Sequence, residues 1–529
     1  MGKKSLIITI VGHQGYFKGK GSEGNSVPEE ELLFTAISET YLPLLSMFER
    51  LDIDSVPFKL SLVLTPTLCA QLADYDVQTR FVEWLDRLVA LGEKEVSQLP
   101  EGSPRWIQAE SCLERIRANR RDFVEFYKGD LLSAFRYYAD RDTIELLATA
   151  ATSTFLPHYA DIPEAINAQI EAGLQSHRQF FGVVPDGFWL PAMGYSANIE
   201  QILLKYGFTY SVLDSHGLLF GKPLPVNGIF SPIRCQNGFV FFARDFSSEA
   251  EILGTDGFIN NGVYRNQDRD LAFEAAANEL SDFIPLGKER VASGYKYWRR
   301  GGSTGEDWYD KDAAIKQAKI DALSFVATRA EKLNKAETML QSSDLSMTCT
   351  FDARIFGQLW HEGIFWLEQV FRAAAVSPDL QTAHACDLFS KKSSFQELVP
   401  FMSAATGTGY GENLLDTSND WMLQYSRKAC ERMISLAERF PDDNGFKARA
   451  LNMAAKEVLL SMSLDWPIML HDKTYPEYAE AQFKNNVLAF TTVFDSLGAN
   501  SISTEWLTNM EQEHPLFPWI NYRIFSKKK

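Results

Sequence analysis

The sequence predicts an α/β fold of barrel-like layout with a helical insertion and a helical C-terminal region, and three observations support this. The chain opens as strand, helix, strand. Strand-like apolar runs then recur over more than 300 residues with helical segments between them, and beyond about residue 400 the pattern is helical throughout. We therefore expect a distorted barrel over residues 1–400, with a helical insertion at about 76–140, and a helical domain over 401–529.

The first strand is the β-branched run Leu6-Ile7-Ile8-Thr9-Ile10-Val11, too short and too abruptly followed by Gly12-His13-Gln14 for a signal peptide. A polar loop from Lys18 to Ser26 leads to a helix whose start, Pro28-Glu29-Glu30-Glu31, suits a helix N-terminus. Leu33, Ile37, Tyr41, Leu44, Leu45 and Phe48 give it one apolar face. Phe58 to Leu64 alternates as a strand and ends at Thr65-Pro66. Residues 76–140, with Arg80, Arg87, Glu93, Arg115 and Arg121 among apolar positions, contain no strand-like run. Strands resume at 144–150. The helix Pro163 to Phe180 leads into Asp186-Gly187-Phe188-Trp189-Leu190-Pro191-Ala192, a short strand broken by proline. Further strands are expected at 208–213, 228–235, 238–243 and 346–351, and a helix at 353–373. Asp420 to Phe440, Gly445 to Ser461 and Tyr475 to Leu497 read as C-terminal helices, with the apolar end 515–522 docking back on the body.

With 45% apolar residues in 529 and a formal charge of −17, this is a globular protein whose main partner is neither a nucleic-acid backbone nor an anionic membrane. No apolar run is long enough to span a bilayer, and Lys527-Lys528-Lys529 reads as a solvated tail. The six cysteines, at 69, 112, 235, 349, 386 and 430, form no CxxC pair and no Cys/His spacing for zinc, so we expect reduced thiols in a cytoplasmic protein without metal or cofactor.

Chemistry in an α/β barrel gathers at the C-terminal ends of strands, which singles out His13, Ser153, Ala192, Asp214, Arg244-Asp245 and Asp352. A lone histidine such as His13 or His216 is equally readable as a satisfied structural group. Asp352 is equally readable as the N-cap of the helix after it. Aromatic density at Tyr295-Lys296-Tyr297-Trp298 and at Trp360, Phe365 and Trp366 supplies flat faces beside hydrogen-bonding groups, the complement of a sugar ring; half of these are expected to be core.

The run from Glu30 to Leu45, Gly187-Phe188-Trp189-Leu190-Pro191, Gly294-Tyr295-Lys296-Tyr297-Trp298-Arg299, Phe351-Asp352-Ala353 with Phe356-Gly357, Ser418-Asn419-Asp420-Trp421 and Leu464-Asp465-Trp466-Pro467 resemble glycoside hydrolase family 57, in the same order from first strand to last residues. Within it they are most similar to the 1,4-α-glucan branching enzymes. The resemblance implies an incomplete (β/α)7 barrel with a helical insertion and a helical C-terminal domain. It also implies retaining cleavage of α-glucosidic bonds by a Glu nucleophile after Trp-Leu-Pro and an Asp acid/base in Phe/Tyr-Asp-Ala.

Asp352 matches the acid/base, and Ala192 stands at the nucleophile position. A methyl group cannot form the glycosyl ester, and double displacement requires two carboxyl groups about 5–5.5 Å apart. Other positions depart too: Ser153 replaces the His of Thr-His-Gly-Phe-Leu-Pro, Arg354 and Gln358 replace the Glu and His of Asp-Ala-Glu-Leu-Phe-Gly-His, Thr406 replaces a subsite Trp and Leu253 another. Losses clustered at the site with the scaffold motifs intact read as natural decay of catalysis under retained folding.

The first reading is thus a family 57-like protein without normal activity that keeps a groove for α-glucan or another carbohydrate, lined by His13, Trp189, Asp214, Arg244, Trp298, Trp360 and Asp465 around Asp352 and Ala192. The second is an inverting enzyme with Asp214 or Asp245 as base. The third is a structural or regulatory partner whose pocket is filled by Arg354, Tyr16 or Met193. The protein partner itself is not legible in the sequence.

Overall fold

The computed structural model describes residues 4–17, 28–283, 290–301, 307–390, 395–499 and 501–528; the polar loop expected at 18–26 lies outside them. Its strands are β1 (Lys4–Gly12), β2 (Leu60–Leu64), β3 (Ile144–Thr149), β4 (Phe188–Trp189), β5 (Tyr210–Leu213), β6 (Ile233–Arg234), β7 (Val240–Ala243), β8 (Ser346–Asp352) and β9 (Leu380–Thr382). Strand β1 is an unbroken apolar run because both its edges are covered. On one side it pairs in parallel with β8, from Ser5↔Ser346 to Val11↔Asp352, and on the other with β2, from Thr9↔Ser61 to Gly12↔Leu64.

The sheet continues in parallel through β3 to β4. A single parallel bridge, Gly187↔Tyr210, joins β4 to β5, which pairs with β7. Another, Arg244↔Thr348, returns β7 to β8, reinforced by Asp245 N donating to Thr348 O at 2.7 Å. Seven parallel strands therefore close a ring that is fully laddered on one side and only bridged at two seams, an incomplete (β/α)7 barrel. Two short strands occupy the N-terminal halves of neighbouring seams: β9 runs beside Lys4–Leu6, and β6 lies antiparallel on β7.

Alternation along the strands sends Ile7, Val63, Leu147, Trp189, Tyr210, Val212, Val240 and Phe242 to the barrel interior, where they pack as one cluster with Met193. The insertion is three helices, Tyr75–Gln98, Pro104–Arg121 and Leu131–Asp140, each capped at its N-terminus by an acceptor side chain, Asp74, Ser103 and Asp130. After residue 400 come helices Asp420–Arg439, Gly445–Ser461, Asp465–Asp472, Pro476–Ala499 and Thr504–Glu513. All but Asp465–Asp472 share a continuous apolar core with helix Pro163–Phe181 and with Phe188 and Leu213 of the barrel, and Trp466 of the remaining helix packs with Met422 and Phe483 in a smaller cluster. Leu516, Phe517, Ile520 and Tyr522 are buried in that core, so the C-terminal end docks back. Lys527 and Lys528 are solvent-exposed and pair at the surface with Glu438 and Glu171. No helix among the described residues is long and apolar enough to cross a membrane.

Three local expectations are corrected. The strand expected over 228–235 shrinks to Ile233–Arg234. The helix expected over 353–373 is a 3-10 turn, Ala353–Ile355, then a loop, then a helix at Gly363–Val376. The 30-residue helix Lys311–Leu340 was not foreseen. Its buried face is largely alanine (Ala314, Ala318, Ala322, Ala330 and Ala336), so it carries little apolar periodicity.

The loop after Asp352 turns at Gly357, whose φ of +107° is reserved for glycine and whose Cβ, if present, would lie 1.7 Å from the carbonyl oxygen of Glu39. Gly357→Ala should lower stability by about 3 kcal/mol or more, read from urea unfolding followed by circular dichroism. Gly102→Ala, also at positive φ but with open space around it, should lose only about 1 kcal/mol.

Candidate active site

The parallel ring brings the ends of β1, β2, β3, β4, β5, β7 and β8 to one mouth, and the polar residues following them form two hydrogen-bonded groups. In the first, His13 stands directly after β1. Its Nδ1 lies 3.0 Å from Thr65 Oγ1 at the end of β2, and its Nε2 is 2.7 Å from Asp465 Oδ1. Asp465 comes from the helical C-terminal region, where Ser463 Oγ donates to its Oδ2 at 2.6 Å. Gly15 gives it room, since a Cβ there would sit 2.9 Å from Oδ2. The same segment reaches β3, as Thr154 bridges Ser463 and Leu464 N donates to Ser153 O. The C-terminal region thus lays residues 463–465 across one side of the mouth.

Burial alone would lower the His13 pKa, but the charge and hydrogen bond of Asp465 outweigh it and hold the imidazole above its ordinary value. Burial likewise opposes ionisation of Asp465, and His13 with Ser463 reverses this to place the carboxyl below the usual range. Asp352 and Arg354 contribute smaller charge effects to His13, which puts all four side chains in one electrostatic neighbourhood.

Asp352 ends β8. Its Oδ1 caps the following 3-10 turn by accepting from Arg354 N at 2.8 Å, so the capping role holds for one turn only. The Arg354 side chain then folds back on it: Nε is 3.1 Å from each carboxylate oxygen and Nη2 is 2.7 Å from Oδ2. A carboxyl that donated a proton would have to surrender part of this forked contact. The pair faces solvent, with side-chain exposures of 40% for Asp352 and 64% for Arg354. The guanidinium is held above its usual range, chiefly by the charge of Asp352.

The second group is built on β5 and β7. Asp214 Oδ2 accepts from Arg244 Nε at 2.6 Å and its Oδ1 is 2.8 Å from His216 Nδ1. Arg244 also reaches Glu249 at 2.8 Å, and His216 Nε2 donates to Gly409 O at 2.8 Å. Asp245, one residue on, faces the other way, as alternation requires. It accepts from Ser247 and Ser248 at the start of helix Phe246–Leu253, with Arg329 and Lys332 nearby. Arg244 thus pairs with Asp214 and not with its neighbour Asp245, and each carboxylate considered as an inverting base is already engaged by a cation.

Ala192 lies after β4 in a left-handed conformation, φ 52° and ψ 23°, and Met193 follows at φ 49°. Each costs about 1–2 kcal/mol for a residue with a Cβ. Surrounding bonds enforce the turn: Ala405 N donates to Ala192 O at 2.7 Å, Met193 N to Leu190 O at 2.8 Å, and Tyr195 and Ser403 bond reciprocally at 2.8 and 3.3 Å. The methyl group is partly exposed and packs with Phe155, Ala404 and Ile468.

The remaining sequence-derived candidates are placed elsewhere. Trp189 is 6% exposed inside the barrel, a floor to the mouth more than a wall. Trp360 is 1% exposed, packed against Trp366, Tyr264 and Phe258, and is a core residue. Trp298 stacks on Trp308 at 4.4 Å, and its indole nitrogen donates to Glu274, so neither group hydrogen-bonds to it. Of the side chains invoked as pocket fillers, Met193 is buried in the barrel, Tyr16 packs toward the C-terminal core, and Arg354 alone lies on Asp352. Thr65 was not foreseen, although its place at a strand end is the signal that would have found it.

The fold is thus a (β/α)7 barrel with an Asp at the end of β8 and a helical region reaching its mouth. Residues 7–286 match the Glycosyl hydrolase family 57 model and residues 425–525 match the 1,4-alpha-glucan branching enzyme C-terminal model. The chain belongs to glycoside hydrolase family 57 and is branching-enzyme-like within it. It is 24% identical over 473 residues to the 1,4-alpha-glucan branching enzyme TK1436 of Thermococcus kodakarensis, covering 85% of this chain and 68% of that one. The alpha-amylase AmyC structure from Thermotoga maritima superposes with a TM-score of 0.92 at 28% identity, each chain covered in full. The GH57-type branching enzyme structure from Pyrococcus horikoshii shares the fold, with a TM-score of 0.87 at 23% identity over 99% of this chain and 97% of that one.

The His13–Asp465 pair sets a pH signature. The folded pKa of His13 is raised, so its stabilisation is complete below about pH 6.5 and fades as pH rises through the folded value; that of Asp465 is lowered, so its share is present above about pH 4 and fades as pH falls through the folded value. Asp465→Asn should therefore cost about 1–3 kcal/mol near pH 5.5 and clearly less at about pH 8.5. Histidine NMR titration should show the His13 pKa falling in this variant.

Proposed function

We propose that this branching-enzyme-like chain does not carry out the double displacement of its family and instead binds α-glucan at the barrel mouth. One paired observation carries the reading. The backbone after β4 still holds position 192 in the strained turn that would present a nucleophile, yet the side chain is a methyl group. The remaining acid candidate, Asp352, is gripped on both oxygens by Arg354. Without a nucleophile no glycosyl ester forms, and with its carboxylate engaged Asp352 is a poor proton donor to a leaving oxygen. Asp214 and Asp245 do not replace either role, because Arg244 and the Ser247/Ser248 cap occupy them.

Carbohydrate binding is supported by what survives: solvent-facing Asp352 and Arg354, and His13 held by Thr65 and Asp465. The names of the similar proteins direct the ligand toward α-1,4-linked glucose. All six cysteines are unpaired, five of them buried, which supports a cytoplasmic setting.

Purified protein incubated with amylose should release no reducing ends and form no branches above background. Saturating linear maltooligosaccharide, at about 100 times its Kd, should stabilise the fold by about 2.7 kcal/mol, read as a rise in melting temperature. Protein-dependent branching or hydrolysis that Asp352→Asn abolishes would overturn the loss of catalysis. An unchanged melting temperature would overturn the binding.

A further inference from the structure

The second polar group of the mouth carries an exposed aromatic ring on each of its two basic members. Arg244, which donates to Asp214 and Glu249, has its guanidinium carbon 5.3 Å from the centroid of the Phe246 ring. His216, on the other carboxylate oxygen of Asp214, meets the Tyr410 ring at 73° with centroids 5.3 Å apart. Phe246 is 57% exposed and Tyr410 46%, whereas Asp214 and Arg244 are buried. A guanidinium or an imidazole covers at most one face of a ring, so each ring keeps a face open to water.

The backbone fixes Tyr410 at the mouth. Gly409 O accepts from His216 Nε2 at 2.8 Å and from Ala404 N at 2.7 Å, and Ala404 packs with the methyl group of Ala192. On the other side of Tyr410, Gly411 sits where a Cβ would lie 2.8 Å from Phe155 Cζ, in the same apolar cluster. Gly409 and Gly411 adopt φ of +111° and +76°, a turn suited to glycine. A tyrosine has few torsions to freeze, and on a backbone held this way it loses little freedom when it binds a ligand. Phe246 opens the helix Phe246–Leu253 directly after β7 and Asp245, at the same end of the barrel.

Two flat apolar faces beside a polar group match a pyranose, whose C–H face covers a ring while its hydroxyls reach past the edge. Glu249 stands ready for those hydroxyls. It is 31% exposed, its Oε2 takes Arg244, and its Oε1 has no hydrogen-bond partner among the described residues. The tryptophans do not offer such faces: Trp189 and Trp360 are buried, and Trp298 is engaged by both Trp308 and Arg269.

We propose that Tyr410 and Phe246 are the sugar-stacking platforms of the mouth, each packing on the C–H face of one glucosyl unit of an α-glucan, with Glu249 accepting from sugar hydroxyls. The inference rests on the glucan reading above and puts the bound chain on the β5 and β7 side of the barrel.

Isothermal titration calorimetry of the full chain with maltoheptaose tests this. Tyr410→Ala and Phe246→Leu, the latter keeping apolar cover over Arg244, should each weaken binding roughly tenfold, while Tyr410→Phe, which keeps the ring, should stay within about twofold of wild type. Tyr75→Ala, at an exposed ring on the insertion, should leave the affinity unchanged. The melting temperature of each variant without sugar should remain that of the wild type, so that lost affinity is not lost fold. An affinity within about twofold of wild type after either Tyr410→Ala or Phe246→Leu would overturn this proposal and leave the glucan reading standing. A wild type that takes up no maltoheptaose would overturn both.

Discussion

Strand β8 is the member on which the rest depends. It pairs residue by residue with β1 over seven positions and meets β7 only at Thr348, so it ties the laddered side of the sheet to the seam that closes the ring. Its register sets Asp352 opposite Val11, two residues before His13. A slip of one residue would turn Asp352 away from the mouth and reverse every interior side chain of the strand. The closure also fixes where the helical C-terminal region can dock, because residues 463–465 bond to loops after β1 and β3. Folding and site assembly are therefore one constraint.

The proposed loss of double displacement rests on the ion pairs of the mouth as much as on the methyl group at position 192. At the end of each of β1, β5 and β8 a carboxylate and a cation or imidazole are in contact: Asp465 with His13, Asp214 with Arg244 and His216, Asp352 with Arg354. Groups paired in this way are held in place by charge-assisted hydrogen bonds. General acid catalysis asks for a carboxyl positioned to carry a proton to the leaving oxygen, which the forked contact of Arg354 on Asp352 obstructs. Restoring a carboxylate at 192 would supply a nucleophile and leave the grip of Arg354 on Asp352 untouched.

Most of the architecture was legible where local chemistry is strong. The β-branched run of β1, the Pro-Glu-Glu-Glu helix start and the Phe-Trp before Pro191 all lie in the elements they predict. Legibility failed where tertiary context decides. The alanine-lined helix 311–340 has no bulky stripe to read. Gly357 breaks the helix expected after Asp352, and its need for positive φ comes from the carbonyl of Glu39 far away in sequence. Trp360 has the composition of a sugar platform, and burial makes it core. At the site, Ala192 and Arg354 were visible as unusual residues, but the fork that Arg354 makes on Asp352, and the pairing of Arg244 with Asp214 instead of its neighbour, depend on side-chain directions that spacing does not encode.

On the proposed function, no carboxylate at this mouth becomes glycosylated. A retaining glycosidase can accumulate a covalent glycosyl-enzyme when given an activated fluoro-glycosyl fluoride, since the ring fluorine slows both formation and breakdown of the ester while the good leaving group speeds formation alone. Intact-mass spectrometry of this protein after prolonged exposure to the α-glucosyl reagent should show the unmodified chain. A stoichiometric glycosyl adduct, mapped by peptide digestion to Asp352, Asp214 or another carboxylate of the mouth, would contradict the account.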